Sequence, residues 1–212
     1  MKPVKKILFR VLVIIIPVSL GIIFSVYMNN DSGSFEGVSA TVLPEAKALP
    51  EFSLEDHRGK AFTNETLKGK WSFVFFGYTH CPDVCPTTLA LLNQVDQALK
   101  KEPGTDSPET IFISVDPGRD TVEQLAKYMP YFNPEFIGVT GSLENLQVLT
   151  KSLGIAFGQE GNEEGDTETE EYEVFHSSRI MLIDPEARLK ALFTSPHDVN
   201  TIVDDYKKII KS

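Results

Sequence analysis

Apolar residues along this chain group into short continuous runs separated by segments with helical spacing. Trp71 to Tyr78 (WSFVFFGY) carries no charge and is rich in aromatics, the pattern of a strand buried on both faces. It leads through THCPDVCPTT into LALLNQVDQALKK, where Leu89, Leu92, Val95 and Leu99 recur at helical spacing. TIFISVDP predicts a second buried strand, and TVEQLAKYM a helix with Leu125 and Met129 on one face. FIGVTG predicts a third strand, followed by the helix SLENLQVLTKSLG with Ser142 as its cap and Gly154 as its stop. RIMLID and LKALFTS predict an antiparallel hairpin turning at Pro185-Glu186-Ala187-Arg188, and DVNTIVDDYKKII a last helix capped by Asp198. Upstream, LPEFSLED reads as a short strand before a polar turn at 57–60. The alternation predicts an α/β fold with a mainly parallel central sheet, an antiparallel edge hairpin and flanking helices.

The N-terminus follows a different pattern. No residue from Val11 to Asn30 is charged, and the run VLVIIIPVSLGIIFSVYM reaches the roughly 20 apolar residues that cross a bilayer. Lys2, Lys5, Lys6 and Arg10 precede it while Asp31 and Glu36 follow, which orients the N-terminus to the cytoplasm and the body outside. The predicted organisation is a basic cytoplasmic segment 1–10, a transmembrane anchor 11–30, a tether 31–48 and one folded domain 49–212. A length of 212 residues suits one domain plus such an appendage. A cleaved signal peptide is the rival reading, with Val38-Ser39-Ala40 as the small-residue site, but that site lies too far beyond the apolar run. The expected location is the inner (cytoplasmic) membrane, single-pass, with the C-terminal domain on the extracytoplasmic side.

Charge narrows the partners. The chain has 20 basic and 30 acidic residues, and four of the basic ones lie in the first ten positions, so the body is strongly acidic. Such a body repels nucleic acid, which is excluded as a partner, and accommodates cationic partners and metal ions. Eight of the acids fall between Gln159 and Glu173 with no basic residue among them, which predicts a solvated acidic loop at 159–173. A docking surface for a basic partner is the functional alternative for that loop.

The two cysteines, Cys81 and Cys85, sit between the first buried strand and its helix. Backbone N–H groups and the dipole at a helix start favour anions, thiolates included. On a helical turn, positions i and i+4 share a face and both sulfurs can converge on one small ion. Pro82 suits the first turn of the helix, whereas Pro86 either opens the regular helix or kinks it. Two thiolates do not close a tetrahedral zinc site, so further ligands must come from elsewhere. The four histidines are His57 in a polar turn, His80 beside the motif, His176 opening the strand RIMLID, and His197 in a cap region. Spacing does not choose among them. Two thiolates with an imidazole suit copper in either oxidation state. A structural disulfide and a redox-active pair remain open beside the metal site.

FGYTHCPDVCP, SVDPGRDT at 114–121 and His176 before RIMLIDP together closely resemble the Sco (SenC) family of copper proteins, from about Leu49 to the C-terminus. The resemblance implies a thioredoxin-like fold, copper, Cu(I) or Cu(II), held by Cys81, Cys85 and His176, and a metallochaperone role in building the dinuclear copper centre of cytochrome c oxidase. It implies as partners the copper-site subunit of the oxidase and another copper donor or thiol reductant. Family members are also thought to reduce thiols, so a thiol–disulfide oxidoreductase using Cys81 and Cys85 is the alternative function. Against that alternative stand the three residues between the cysteines and the absence of proline from Tyr172 to Asp184. One departure is Phe175, where the family usually carries Asp before the ligand histidine; a carboxylate that could orient the imidazole is missing. Asp116-Pro117-Gly118 reads as a turn, Arg119 as the partner of a nearby carboxylate and Asp120 as the cap of TVEQLAKY.

Overall fold

A computed structural model describes residues 37–155, 157–160, 173–176 and 178–211. The expected cytoplasmic segment and anchor at 1–30, and most of the acidic loop, lie outside these residues. Among the described residues no helix is long and apolar enough to cross a membrane.

The run WSFVFFGY supplies β4 (Ser72–Gly77), in which every residue is buried. It pairs in parallel with β5 (Glu109–Ser114), Ser72 opposite Glu109 through Gly77 opposite Ser114, and β5 pairs in parallel with β6 (Ile137–Thr140). Strands covered on both faces need no polar alternation, which is why these runs are continuously apolar. On the other side of β4 lie β9 (Ile180–Ile183), β10 (Arg188–Phe193) and β1 (Thr41–Ala48), each antiparallel to its neighbour. Beyond β6 lie β2 (Ser53–Asp56) and β3 (Ala61–Thr63), also antiparallel. The eight-stranded order is β1-β10-β9-β4-β5-β6-β2-β3, and β7 (Phe157–Glu160) with β8 (Glu173–His176) forms a separate antiparallel pair.

Helix α1 (Asn64–Leu67) is a single turn. α2 (Val84–Leu99) buries Cys85, Leu89, Leu92, Val95 and Leu99, the stripe expected from the sequence with the second cysteine added to it. α3 (Val122–Tyr128) runs into a 3₁₀ turn, Met129–Tyr131. α4 (Leu143–Leu153) begins at Ser142, whose hydroxyl accepts from Asn145 N, and ends at Gly154, where φ is +68°. α5 (Val199–Ile209) starts at Asp198, whose carboxylate accepts from Thr201 N. Both caps and the glycine stop stand where the sequence puts them, because each satisfies a backbone group that the helix leaves open. Phe73 contacts Tyr206 of α5 (ring centroids 5.6 Å apart), Gly77 lies under Cys85 of α2, and Phe112 meets Tyr128 of α3 at 6.0 Å. Phe73, Phe75 and Gly77 alternate along β4, and Phe112 is the β5 partner of Phe75. One face of the sheet therefore carries α2, α3 and α5.

Four expectations need correction. The sheet is mixed rather than mainly parallel: only β4, β5 and β6 run in parallel, with antiparallel strands on both flanks. The tether does not extend to residue 48, because 41–48 form the edge strand β1 and the folded domain begins before Leu49. β1 carries Pro44 and a register break between Val42 and Lys47, features an edge tolerates and that hide a strand from pattern reading. His176 ends β8 in the two-stranded sheet and does not open the strand RIMLID, which starts at Ile180 as β9. Asp120 is not the cap of α3; that place belongs to Thr121, whose hydroxyl accepts from Gln124 N.

The segment before β1 is fastened to α5. Ser39 N and Ala40 N both donate to one carboxylate oxygen of buried Asp205, at 2.9 and 2.8 Å. Replacing Asp205 with Ala leaves two amides without their acceptor, so we expect a loss of about 1–3 kcal/mol in urea unfolding; an unchanged midpoint would show that the fastening contributes nothing.

Candidate metal centre

The cysteine loop leaves the sheet at Gly77, and that glycine is required by packing rather than by its φ. A Cβ placed there would lie 2.7 Å from Cys85 Sγ and 2.7 Å from Phe112 Cε2, closer than real atoms approach. Cys81 N then donates to Tyr78 O at 3.3 Å in a tight turn, Asp83 occupies the N-cap position, and α2 opens at Val84. Pro86 falls in the first turn of α2, where a missing N–H is no loss, and Pro82 stays in the preceding loop. Cys85 N, one of the free amides at the helix start, donates to Cys81 Sγ at 3.4 Å. The two sulfurs are thus gathered at one helix end, with Cys81 half-buried and Cys85 fully buried. Neither is in a disulfide. Burial pushes the Cys85 thiol well up from its ordinary range; a backbone hydrogen bond at Tyr78 acts in the opposite direction, and Cys81 adds to the rise. A thiolate at that position needs a cation or donors beside it.

The second motif holds the first. Asp120 is fully buried, and its carboxylate accepts from Thr79 N (2.9 Å), Thr79 Oγ1 (2.6 Å) and Ser114 Oγ (2.6 Å). Burial raises its pKa above the ordinary carboxylate value, while the bonds from Ser114 and Thr79 oppose that rise. Arg119 Nε donates to Asp116 Oδ2 at 2.5 Å, as the sequence suggested, and the guanidinium lies over the Tyr78 ring, 5.9 Å from its centroid. SVDPGRDT therefore grips the two residues immediately before His80 and Cys81. This role of Asp120, Thr79 and Ser114 was not read from the sequence. The available signal was the Asp120-Thr121 doublet: either residue can cap a helix, and one of the two is left for another task.

The histidines separate. His57 accepts from Gly138 N through Nδ1 at 3.0 Å; burial, then the Arg58 charge, lowers its pKa from the ordinary 6.5 and favours the neutral ring this bond requires. His197 Nε2 is bonded to Ser178 O at 2.8 Å. His80 keeps Nδ1 near Thr79 Oγ1 at 3.1 Å and 3.9 Å from Asp120 Oδ1, with about half its side chain exposed. The backbone of His176 faces Phe157 across the β7–β8 pair, and its imidazole lies outside the described part of the structure. Among the described residues no three His, Cys, Asp or Glu side chains converge as a metal site. The structure thus brings Cys81 and Cys85 together and gives His57 and His197 structural bonds of their own.

The family model for SCO1/SenC matches residues 40–211. The chain belongs to the SCO1/SenC family. The match starts where β1 starts, consistent with a folded domain longer than the sequence pattern indicated. A candidate copper-binding protein of Stutzerimonas stutzeri is 39% identical over 155 residues, 73% of each chain. The mitochondrial SCO1 homolog 1 of Arabidopsis thaliana is 38% identical over 160 residues, 76% of this chain and 46% of that one. This chain therefore spans about half the length of that relative. Among solved structures, copper-bound ScoI of Arabidopsis thaliana is 37% identical with a TM-score of 0.69, covering 77% of this chain and 98% of that one. Copper-bound yeast Sco1 is 31% identical with a TM-score of 0.71, covering 78% and 90%. The family's structures share the thioredoxin-like α/β fold found here.

Gly77→Ala tests the packing of the cysteine loop. The added methyl forces Cys85 Sγ or the Phe112 ring aside, and we expect about 1–3 kcal/mol of destabilisation together with faster alkylation of Cys85, read by mass spectrometry. Wild-type stability and an unchanged alkylation rate would show that the loop does not depend on this contact.

Proposed function

We propose that this protein is a membrane-anchored copper metallochaperone that supports assembly of the dinuclear copper centre of cytochrome c oxidase, with copper as its cargo. The observation that carries the reading is the pair of sulfurs gathered at the start of α2, with Cys85 N directed at Cys81 Sγ. Two soft sulfur donors fit Cu(I), and an added imidazole also suits Cu(II). Cys81, Cys85 and His176 are the proposed ligands. Membership of a family whose solved structures include copper-bound members supports this choice of ion.

The unequal exposure of the two sulfurs gives transfer a direction. Cys85 is enclosed against Gly77 of the sheet, whereas Cys81 is reached from solvent. An incoming thiolate of the copper-site subunit displaces Cys81 first, and Cys85 releases the ion last. The apolar run at 11–30 is the proposed anchor, with the domain on the extracytoplasmic side and a shortened tether ending ahead of β1. The copper donor, or a thiol reductant that resets the pair, is the second partner of this cycle.

Reduced, metal-free protein should bind one copper per chain in an anaerobic titration. His176→Ala should keep the far-ultraviolet spectrum and melting temperature, yet weaken copper by more than the about 10–100-fold that loss of an outer-shell partner costs. Equal affinity in wild type and variant would remove His176 from the ligand set.

The same asymmetry favours a second reading, thiol–disulfide exchange. Cys81 would attack a partner disulfide and Cys85 would resolve the mixed disulfide, leaving the partner as two thiols and this protein with a Cys81–Cys85 bond. Catalytic reduction of a protein disulfide by the metal-free form, lost equally in Cys81→Ser and Cys85→Ser but retained in His176→Ala, would select this reading over metal transfer.

A further inference from the structure

His197 is set on a rigid base. It directly precedes Asp198, whose carboxylate caps α5 by accepting from Thr201 N and Thr201 Oγ1, both at 2.9 Å. Buried Ile202, Val203, Tyr206 and Ile209 fix α5 in turn. From there the imidazole reaches across to Ser178 O, 2.8 Å from Nε2. A carbonyl oxygen only accepts, so Nε2 carries the proton. Nδ1 is buried with no hydrogen-bond partner among the described residues. Giving up its hydration costs free energy, which a histidine serving only the surface would not incur.

Ser178 is the middle one of the three residues between the end of β8 at His176 and the start of β9 at Ile180. β9 lies antiparallel on β4, with Ser72 opposite Ile183 and Phe75 opposite Ile180. Two residues further along that register, Ser178 comes level with Gly77, against which the Cys85 sulfur packs. The bond from His197 therefore pins the chain at the cysteine end of the sheet, where it passes from β8 to β9. Measured from Ile180, four residues of chain reach at most about 14 Å, whereas from a pinned Ser178 the two residues to His176 reach only about 7 Å.

Resting on the copper reading above, we propose that His197 is a positioning residue for copper binding, which by holding the Ser178 carbonyl keeps His176 close to Cys81 and Cys85. It acts through the backbone and does not touch the metal. Shortening the free chain raises the effective concentration of the third ligand at the two sulfurs, as shortening a linker does for a tethered binding group. α2 supplies the sulfurs and a separate strand pair the imidazole, so a strut from α5 serves to hold the two parts of the site in register.

A double-mutant cycle in the full chain tests this, with Cu(I) affinity read by competition with a chromophoric Cu(I) chelator and melting temperature confirming that each variant is folded. His197→Phe keeps a ring but removes the donor, and His197→Ala does the same should the larger ring disturb the cap of α5. Either should lower the affinity by at least about threefold, the loss expected when the free chain doubles in length. His197→Gln retains an N–H donor and should bind as wild type does. In a His176→Ala background the substitution at 197 should cost nothing further. Wild-type affinity in both donor-less variants, or the same loss whether or not His176 is present, overturns the inference while the copper reading stands. A His176→Ala protein that binds as tightly as wild type removes the ligand assignment, and the inference with it.

Discussion

The buried carboxylate of Asp120 is the constraint on which the cysteine loop depends. A fully enclosed charge is tolerated only where its lone pairs are used, and here Thr79 N, Thr79 Oγ1 and Ser114 Oγ all donate to it. Ser114 ends β5 while Thr79 follows β4, so these bonds tie together the carboxyl ends of two parallel strands. Cys81 follows Thr79 by two residues in the loop that leaves β4 at Gly77. Its position is therefore set by the same β4–β5 register that builds the core, and not by the loop's own preferences.

Beside that anchor, Gly77 provides room and α2 provides the helix end. With no Cβ at 77, the Cys85 sulfur can seat against the sheet, and the Cys85 amide at the start of α2 is left pointing at the Cys81 sulfur. The outcome is a pair of like side chains in unlike settings, one enclosed and one accessible. That inequality gives the site a direction, whether the traffic is a metal ion or an electron pair. The acidic charge of the body also suits a cationic cargo, although no acidic side chain is needed to hold it.

Much of the architecture was legible in the sequence because the decisive signals are local. WSFVFFGY and TIFISV are apolar throughout since both faces of their strands are covered, and Ser142, Gly154 and Asp198 mark helix ends through their own chemistry. What escaped depends on distant partners. β1 looks like a linker because an edge strand with Pro44 and a register break shows no alternation; it is recognisable only once β10 is beside it. Asp120 has every local property of a helix cap, and only the arrival of Thr79 and Ser114 from other elements gives it a different task. The cysteine pair was legible from its spacing and its place between strand and helix. His176 was chosen by family resemblance, since four histidines of ordinary character cannot be ranked by spacing.

The central claim is that two sulfurs from one helix end and one imidazole from a separate strand pair surround a single copper ion. X-ray absorption on the anaerobically loaded Cu(I) protein tests it most directly. The account predicts a first coordination shell of two sulfur atoms and one imidazole nitrogen, with the nitrogen lost in His176→Ala. A shell with a single sulfur, or one whose nitrogen persists after that substitution, would contradict it.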